Sequence, residues 1–297
     1  MSTPRSLVVP PGTQSLSWAV RGRHRQVLVN RPIAARDWVV IVPGFTGSKE
    51  DFLSLMEPLG RLGLATVVFD QLGQYESAHA ESAEEYALEF LGSDLCEVLA
   101  QARSVLALPT AGHVLGHSFG GLVVQAAAAL GSFDVASATL LCSGPAALPP
   151  DRQPPLPVLI DALPDTSLAV LWEAKCAWEQ ARGEPQPPAF IEEFCRRRWL
   201  ANDPIGLREM ARILCSAPPL VDALAGRARA GLQVQVMWGV ADDAWPVETQ
   251  RAMAAALGAT TAALPECGHS PNVDDPELLA RVLSSALLGP SSGIAEV

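Results

Sequence analysis

Short apolar runs rich in β-branched residues recur along this chain, with longer stretches of helical spacing between them. That alternation limits the possible folds more than any other feature. The strand candidates are DWVVIV (37–42), ATVVFD (65–70), GHVLG (112–116), ATLLCS (138–143) and QVQVMW (233–238), with a weaker one at TTAAL (260–264). Helices are predicted near 49–62, 83–107, 119–130, 246–257 and 275–288. Strands alternating with helices build βαβ units, so the expected class is α/β, with a mostly parallel central sheet flanked by helices. Ahead of them, SLSWAV (15–20) and QVLVN (26–30) flank a polar RGRHR segment, which predicts an antiparallel hairpin at one sheet edge.

The rhythm breaks between 145 and 228. Proline-rich GPAALPPDRQPPLP leads into helix-like, tryptophan-bearing stretches with no convincing strand. The 297 residues suffice for one large α/β domain with an insertion, and 49% apolar residues supply its core. The expected organisation is therefore a core formed by 1–144 and 229–297, interrupted by a helical cap at 145–228. The tail GPSSGIAEV (289–297) is expected to be loose.

A net charge of −11 with only two lysines, Lys49 and Lys175, leaves no basic field to attract phosphates, so nucleic acid is a poor partner. The six cysteines show no CxxC spacing, which argues for reduced thiols and against a disulfide framework or a metal site. Neither a secretory signal pattern nor an uninterrupted run of 18 apolar residues occurs, so the expectation is a cytoplasmic protein with no membrane span.

GHSFGG (116–121) closes a strand candidate and opens a helix candidate. A nucleophilic serine needs such a turn, with small residues two positions to either side, to lift its hydroxyl above the carboxyl edge of a sheet. Ser118 meets that pattern through Gly116 and Gly120, while Gly121 adds room for helix packing. A serine also needs a base, and the base an orienting acid. Of five histidines, His24 lies in the hairpin turn and His79 in an acidic loop. His113 and His117 are too close along the strand to fold back on the hydroxyl, and are assigned structural roles. His269, in ECGHSPNVDDPE after the last strand, remains as the base. WGVADDAWP follows the preceding strand with Asp242 and Asp243; Asp242 is preferred as the acid, while Asp243 suits the cap of the next helix.

Together PGFTGS (43–48), FDQLGQYES (69–77), GHSFGG, WGVADDAWP (238–246) and GHSPNVDDPE (268–277) resemble the α/β-hydrolase superfamily, in particular its capped serine esterases and thioesterases. The resemblance implies the α/β-hydrolase fold, a Ser118–Asp242–His269 triad, and an oxyanion hole from the backbone N–H groups of Phe45 and Phe119. It implies no cofactor. Where such proteins often carry a glycine-histidine-glycine turn, this chain has GQYES, and Gln74 and Tyr75 are left with either substrate contact or loop support. The Phe45 ring, Trp172, Trp178 and Trp199 of the cap, and Trp245 beside the acid loop are the candidate pocket lining. Cap aromatics at helical spacing also suit the cap's own core, and the arginines 196–198 suit a solvated face.

The expected activity is hydrolysis of an ester, lactone or thioester of an apolar small molecule through an acyl-enzyme. The alternatives are the same triad turned to carbon–carbon bond hydrolysis, lyase or cyclisation chemistry, or a non-catalytic ligand-binding relative.

Overall fold

The computed structural model describes residues 3–183 and 185–289. Eight strands form one sheet: β1 (Thr13–Val20), β2 (Arg23–Asn30), β3 (Asp37–Val42), β4 (Leu64–Phe69), β5 (His113–His117), β6 (Ser137–Leu141), β7 (Gln233–Gly239) and β8 (Thr260–Leu264). Their spatial order is β1-β2-β4-β3-β5-β6-β7-β8. β1 and β2 pair antiparallel, β2 meets β4 antiparallel, and every pairing from β4 through β8 is parallel. Parallel strands need crossovers. These are α1 (Leu53–Arg61), α2 (Leu88–Leu106), α3 (Phe119–Ala127), then α4 (Leu156–Ala162), α5 (Leu168–Ala181), α6 (Ala189–Ala201), α7 (Pro204–Ser216) and α8 (Val221–Arg229) together, and α9 (Val247–Leu257). After β8 follow the short α10 (Pro271–Asp274) and α11 (Pro276–Leu288).

Both faces of the sheet are covered, and the pleat decides which residue faces which layer. On β3, Val40 and Val42 enter the core shared with α2 and α3, whereas Val39 and Ile41 enter the one shared with α1 and α11. A strand buried on both sides must be apolar at consecutive positions, which is why these runs stand out in the sequence. Two expected helices start with 3-10 turns, Lys49–Phe52 and Ala83–Tyr86, closed by Ser48/Asp51 and Ser82/Glu85 capping boxes.

The hairpin differs from expectation. Its strands run through most of the RGRHR segment, and the turn shrinks to Arg21 and Gly22, both at positive φ. A two-residue turn of that hand matches the strand twist. The polar residues then sit on β2: His24 Nε2 lies 2.8 Å from the Glu76 carbonyl, and fully buried Arg25 pairs with Asp94.

Between β6 and β7 the described residues contain helices α4 to α8 and turns, without a strand. They do not share one core. Leu168, Trp172, Ile191, Phe194, Cys195, Trp199 and Leu207 form a cluster with Tyr75, against which Phe45 packs. Met210, Leu214, Leu224 and Ala225 instead join the main core. The tail beyond Gly289 lies outside the described residues.

Candidate active site

β5 ends at His117, and the chain turns directly into α3 through Ser118, whose φ of 54° is uncommon for a residue with a side chain. The turn is held by Ser118 N–H to the Leu141 carbonyl (2.9 Å) and Gly121 N–H to the Ser118 carbonyl (2.9 Å). Its glycines are sterically required. A Cβ on Gly116 would stand 2.5 Å from the Gly120 carbonyl oxygen, one on Gly120 2.3 Å from that of Val42, and one on Gly121 2.3 Å from Ser143 Oγ.

From the carboxyl ends of β7 and β8, two loops bring Asp242 and His269 to the same edge. His269 Nε2 lies 2.9 Å from Ser118 Oγ, and His269 Nδ1 lies 2.8 Å from Asp242 Oδ1. The Asp242 side chain is fully buried, while that of His269 is 26% exposed. Burial works to raise the Asp242 carboxyl, but the His269 hydrogen bond and charge, the Ala244 N–H and the Gln250 amide outweigh it. The acid is held below its ordinary range. Asp243 makes no such contact: its carbonyl accepts from Arg152, and α9 is capped by Pro246.

Phe119 is the first residue of α3, so its N–H has no acceptor within the helix. The loop carrying Phe45 passes directly beside the serine, since a Cβ on Gly44 would stand 3.1 Å from Ser118 Cβ. That loop is held by the FDQLGQYES segment: Gln74 Nε2 donates to the Gly44 carbonyl and Gln71 Nε2 to the Pro43 carbonyl, each at 2.9 Å. Gln74 is therefore buried loop support. Tyr75, at φ 41°, packs edge-on to Phe194, receives a hydrogen bond from Arg197, and carries the Lys49 ammonium over its ring.

The tryptophans separate into three situations. Trp172 and Trp199 are buried against each other in the α5–α6 cluster, and Trp172 also borders a cavity of about 390 Å³ between residues 3–5 and these helices. Trp178 departs from the expected pocket lining: it is half-exposed on α5, stacked under Arg182. Trp245 is a buried wall rather than a rim, 6.3 Å from the His269 ring and donating from Nε1 to the Ala146 carbonyl. The arginine run is not a uniform solvated face either, because Arg198 is fully buried against Asp51.

Three neighbours of the site carried weak signals in the sequence. Gln250, a buried polar residue of α9, donates to Asp242 Oδ2 at 2.7 Å. Cys142 lies behind the acid; its Sγ, a carboxylate oxygen of Asp242 and a ring nitrogen of His269 fall within 4.8 Å of one another. Burial and the Asp242 charge push that thiol well above its usual range, and the acid and imidazole already bind each other, so the trio does not suit a cation. His117 Nε2 lies 2.7 Å from the His269 carbonyl.

The same three residue types also meet at the amino-terminal ends of the strands. His113 Nδ1 is 2.8 Å from Ser137 Oγ and its Nε2 is 3.2 Å from the Asp37 carboxylate. Ser137 has no exposed surface, so that contact ties β3, β5 and β6 together and presents no nucleophile. A cavity of about 640 Å³ lies at the same end of β7 and β8, lined by Gln233 and Thr260, away from Ser118.

No curated protein sequence matches the chain. Solved structures share its fold at low identity. The enol-lactonase from Burkholderia xenovorans is 16% identical with a TM-score of 0.72, covering 92% of this chain and 100% of its own. An esterase from Exiguobacterium antarcticum is 20% identical with a TM-score of 0.71, covering 91% and 97%. A thioesterase domain from the curacin biosynthetic pathway is 16% identical with a TM-score of 0.66, covering 91% and 99%. The model of the alpha/beta hydrolase family matches residues 39–282, most of the length, and the chain belongs to that family.

Proposed function

We propose that this protein hydrolyses a carboxylic ester, lactone or thioester of an apolar small molecule through an acyl-enzyme on Ser118. The observation that carries this reading is the unbroken line of hydrogen bonds from Ser118 Oγ through His269 to buried Asp242. His269 Nε2 takes the hydroxyl proton as Oγ attacks the carbonyl carbon. The resulting oxyanion is met by the Phe119 and Phe45 N–H groups, and two such fixed donors are worth several kcal/mol. Collapse of the tetrahedral adduct expels the alcohol or thiol, which receives the proton from His269. Water, deprotonated by the same imidazole, then attacks the acyl group, and Ser118 leaves with that proton. Asp242, held ionised, fixes the Nδ1–H tautomer and offsets the positive charge on the ring.

The helical insertion at 145–228 serves in this reading as a cap. The buried apolar cluster of Trp172, Phe194 and Trp199 packs on Tyr75 and Phe45, so the insertion meets the loop beside Ser118 with apolar side chains, which favours an apolar substrate. The activities in the names of the enol-lactonase, the esterase and the thioesterase domain all involve attack on an acyl carbon, which favours this class of reaction.

The test is hydrolysis of p-nitrophenyl butyrate with a burst of nitrophenol, together with covalent labelling by a fluorophosphonate. Ser118→Ala should lower kcat by about 10⁴-fold or more and abolish the label. A label on another residue, or wild-type turnover in Ser118→Ala, overturns the proposal.

A further inference from the structure

His117 is the last residue of β5 and immediately precedes the serine. It is 2% exposed, edge-on to Phe52 (centroids 6.1 Å apart, 79°) and 5.2 Å from the His269 ring. A carbonyl oxygen only accepts, so the 2.7 Å contact to the His269 carbonyl requires the hydrogen on His117 Nε2. Burial, then the nearby His269 charge, holds the ring's pKa down to about 3, so it is neutral at working pH. On its other side the ring abuts the loop that carries Phe45, with Nδ1 3.5 Å from where a Gly44 Cβ would stand.

The other ties of the His269 loop lie on either side of the His269 backbone or on its ring. Asp274 accepts from the Gly268 N–H at 2.8 Å, Ala241 donates to the Cys267 carbonyl at 2.9 Å, and Asp242 holds the imidazole itself. The Cys267 and Gly268 carbonyls pack closely on Gly239, where a Cβ would stand 2.5 and 2.0 Å from them, but that packing ends one residue before His269, whose own carbonyl is met by His117.

We propose that His117 is a positioning residue for the base: its neutral Nε2–H fixes the backbone carbonyl of His269 and thereby keeps the imidazole in line with Ser118 Oγ. This rests on the acyl-transfer reading above. Because His117 and Ser118 are joined by one peptide bond, the end of a single buried strand sets both partners of the proton transfer. The neutrality of His117 also matters, since a cation there would repel the imidazolium that forms as Ser118 attacks.

The decisive comparison is between His117→Gln and His117→Met, side chains of similar volume of which only the amide can donate. On p-nitrophenyl butyrate, His117→Met should lose about 10- to 100-fold in kcat with KM within about twofold, while His117→Gln stays within about threefold of wild type. The rate of fluorophosphonate labelling should fall in parallel, because it uses the same proton transfer. Equal kcat in the two variants, high or low, overturns the proposal. If His117→Met does not reach the native fold, by near-ultraviolet circular dichroism, His117→Asn replaces it, its amide one methylene short of the carbonyl. Ser118→Ala runs alongside. Activity surviving in that variant defeats the acyl-transfer reading itself, whereas an inactive Ser118→Ala with indistinguishable His117 variants defeats only the positioning role.

Discussion

Arg198 on α6 and Asp51 ahead of α1 form an ion pair closed to water on both sides: nitrogen and oxygen are 2.6 Å apart, and the side chains are 0% and 2% exposed. Burial pushes the Asp51 carboxyl up against the pull of the guanidinium, so the acid depends on its partner. Removing one member of such a pair typically costs about 3–5 kcal/mol, because the other is left buried and unpaired. Arg198→Met should therefore lower the urea midpoint by that equivalent, and adding Asp51→Leu should return part of the loss. A single variant within about 1 kcal/mol of wild type would refute the desolvation account.

Gln250 makes a different demand on its partner. Its amide donates to Asp242 Oδ2 at 2.7 Å and also to the Trp245 carbonyl at 3.0 Å, fixing the acid relative to the wall behind His269. Gln250→Leu should reduce kcat by about tenfold with KM unchanged. Gln250→Glu sets a like charge against Asp242, which raises its pKa, so the acidic limb of the kcat/KM profile should move to higher pH. Identical profiles for the two variants would show that the contact does not tune the acid.

Acid stability follows from His117. Its pKa is about 3 in the folded chain against an ordinary value near 6.5, so below 6.5 the unfolded state binds the additional proton. Stability from this group is complete above 6.5 and declines as pH falls toward 3. Between pH 7 and 5 the loss should be about 2 kcal/mol from this group alone. Denaturation at both pH values, in wild type and His117→Gln, measures it: the variant should lose less, and equal losses would contradict the assignment.

Two glycines near the serine should separate folding from chemistry. A Cβ on Gly120 meets the Val42 and Pro43 carbonyls at 2.3 and 2.7 Å, backbone atoms that cannot yield, so Gly120→Ala should cost about 3 kcal/mol or more. A Cβ on Gly44 meets Ser118 Cβ at 3.1 Å, a contact that a small loop shift relieves. Gly44→Ala should melt within a few degrees of wild type yet lose about 100-fold in kcat. Comparable stability loss in the two variants would argue against this distinction.

The sheet was legible because strands buried on both faces must be continuously apolar, and the runs at 37–42 and 233–238 carry that requirement locally. Ser118, Asp242 and His269 could be picked out because each follows a strand, and parallel strands deliver those loops to one edge. Polarity alone makes RGRHR read as a turn, whereas Arg25 is polar to meet Asp94, 69 positions away. The same limit hid Arg198, whose partner is 147 positions distant, and the tie from His117 to His269, 152 positions apart. Local periodicity reports which face of an element is apolar. It cannot report which polar group waits on a remote segment, so Trp172, Trp178 and Trp199 looked alike until their neighbours were known.

The parallel sheet with a crossover through α4 to α8 separates Ser118 from His269 by 151 positions along the chain. During synthesis the serine turn emerges long before the imidazole that lies against its hydroxyl. A nascent chain lacking β8 and the loop after it would expose a shaped but inert hydroxyl, with burial of β7 still incomplete. In the proposed mechanism, competence for catalysis therefore waits until the His269 loop has joined the sheet edge.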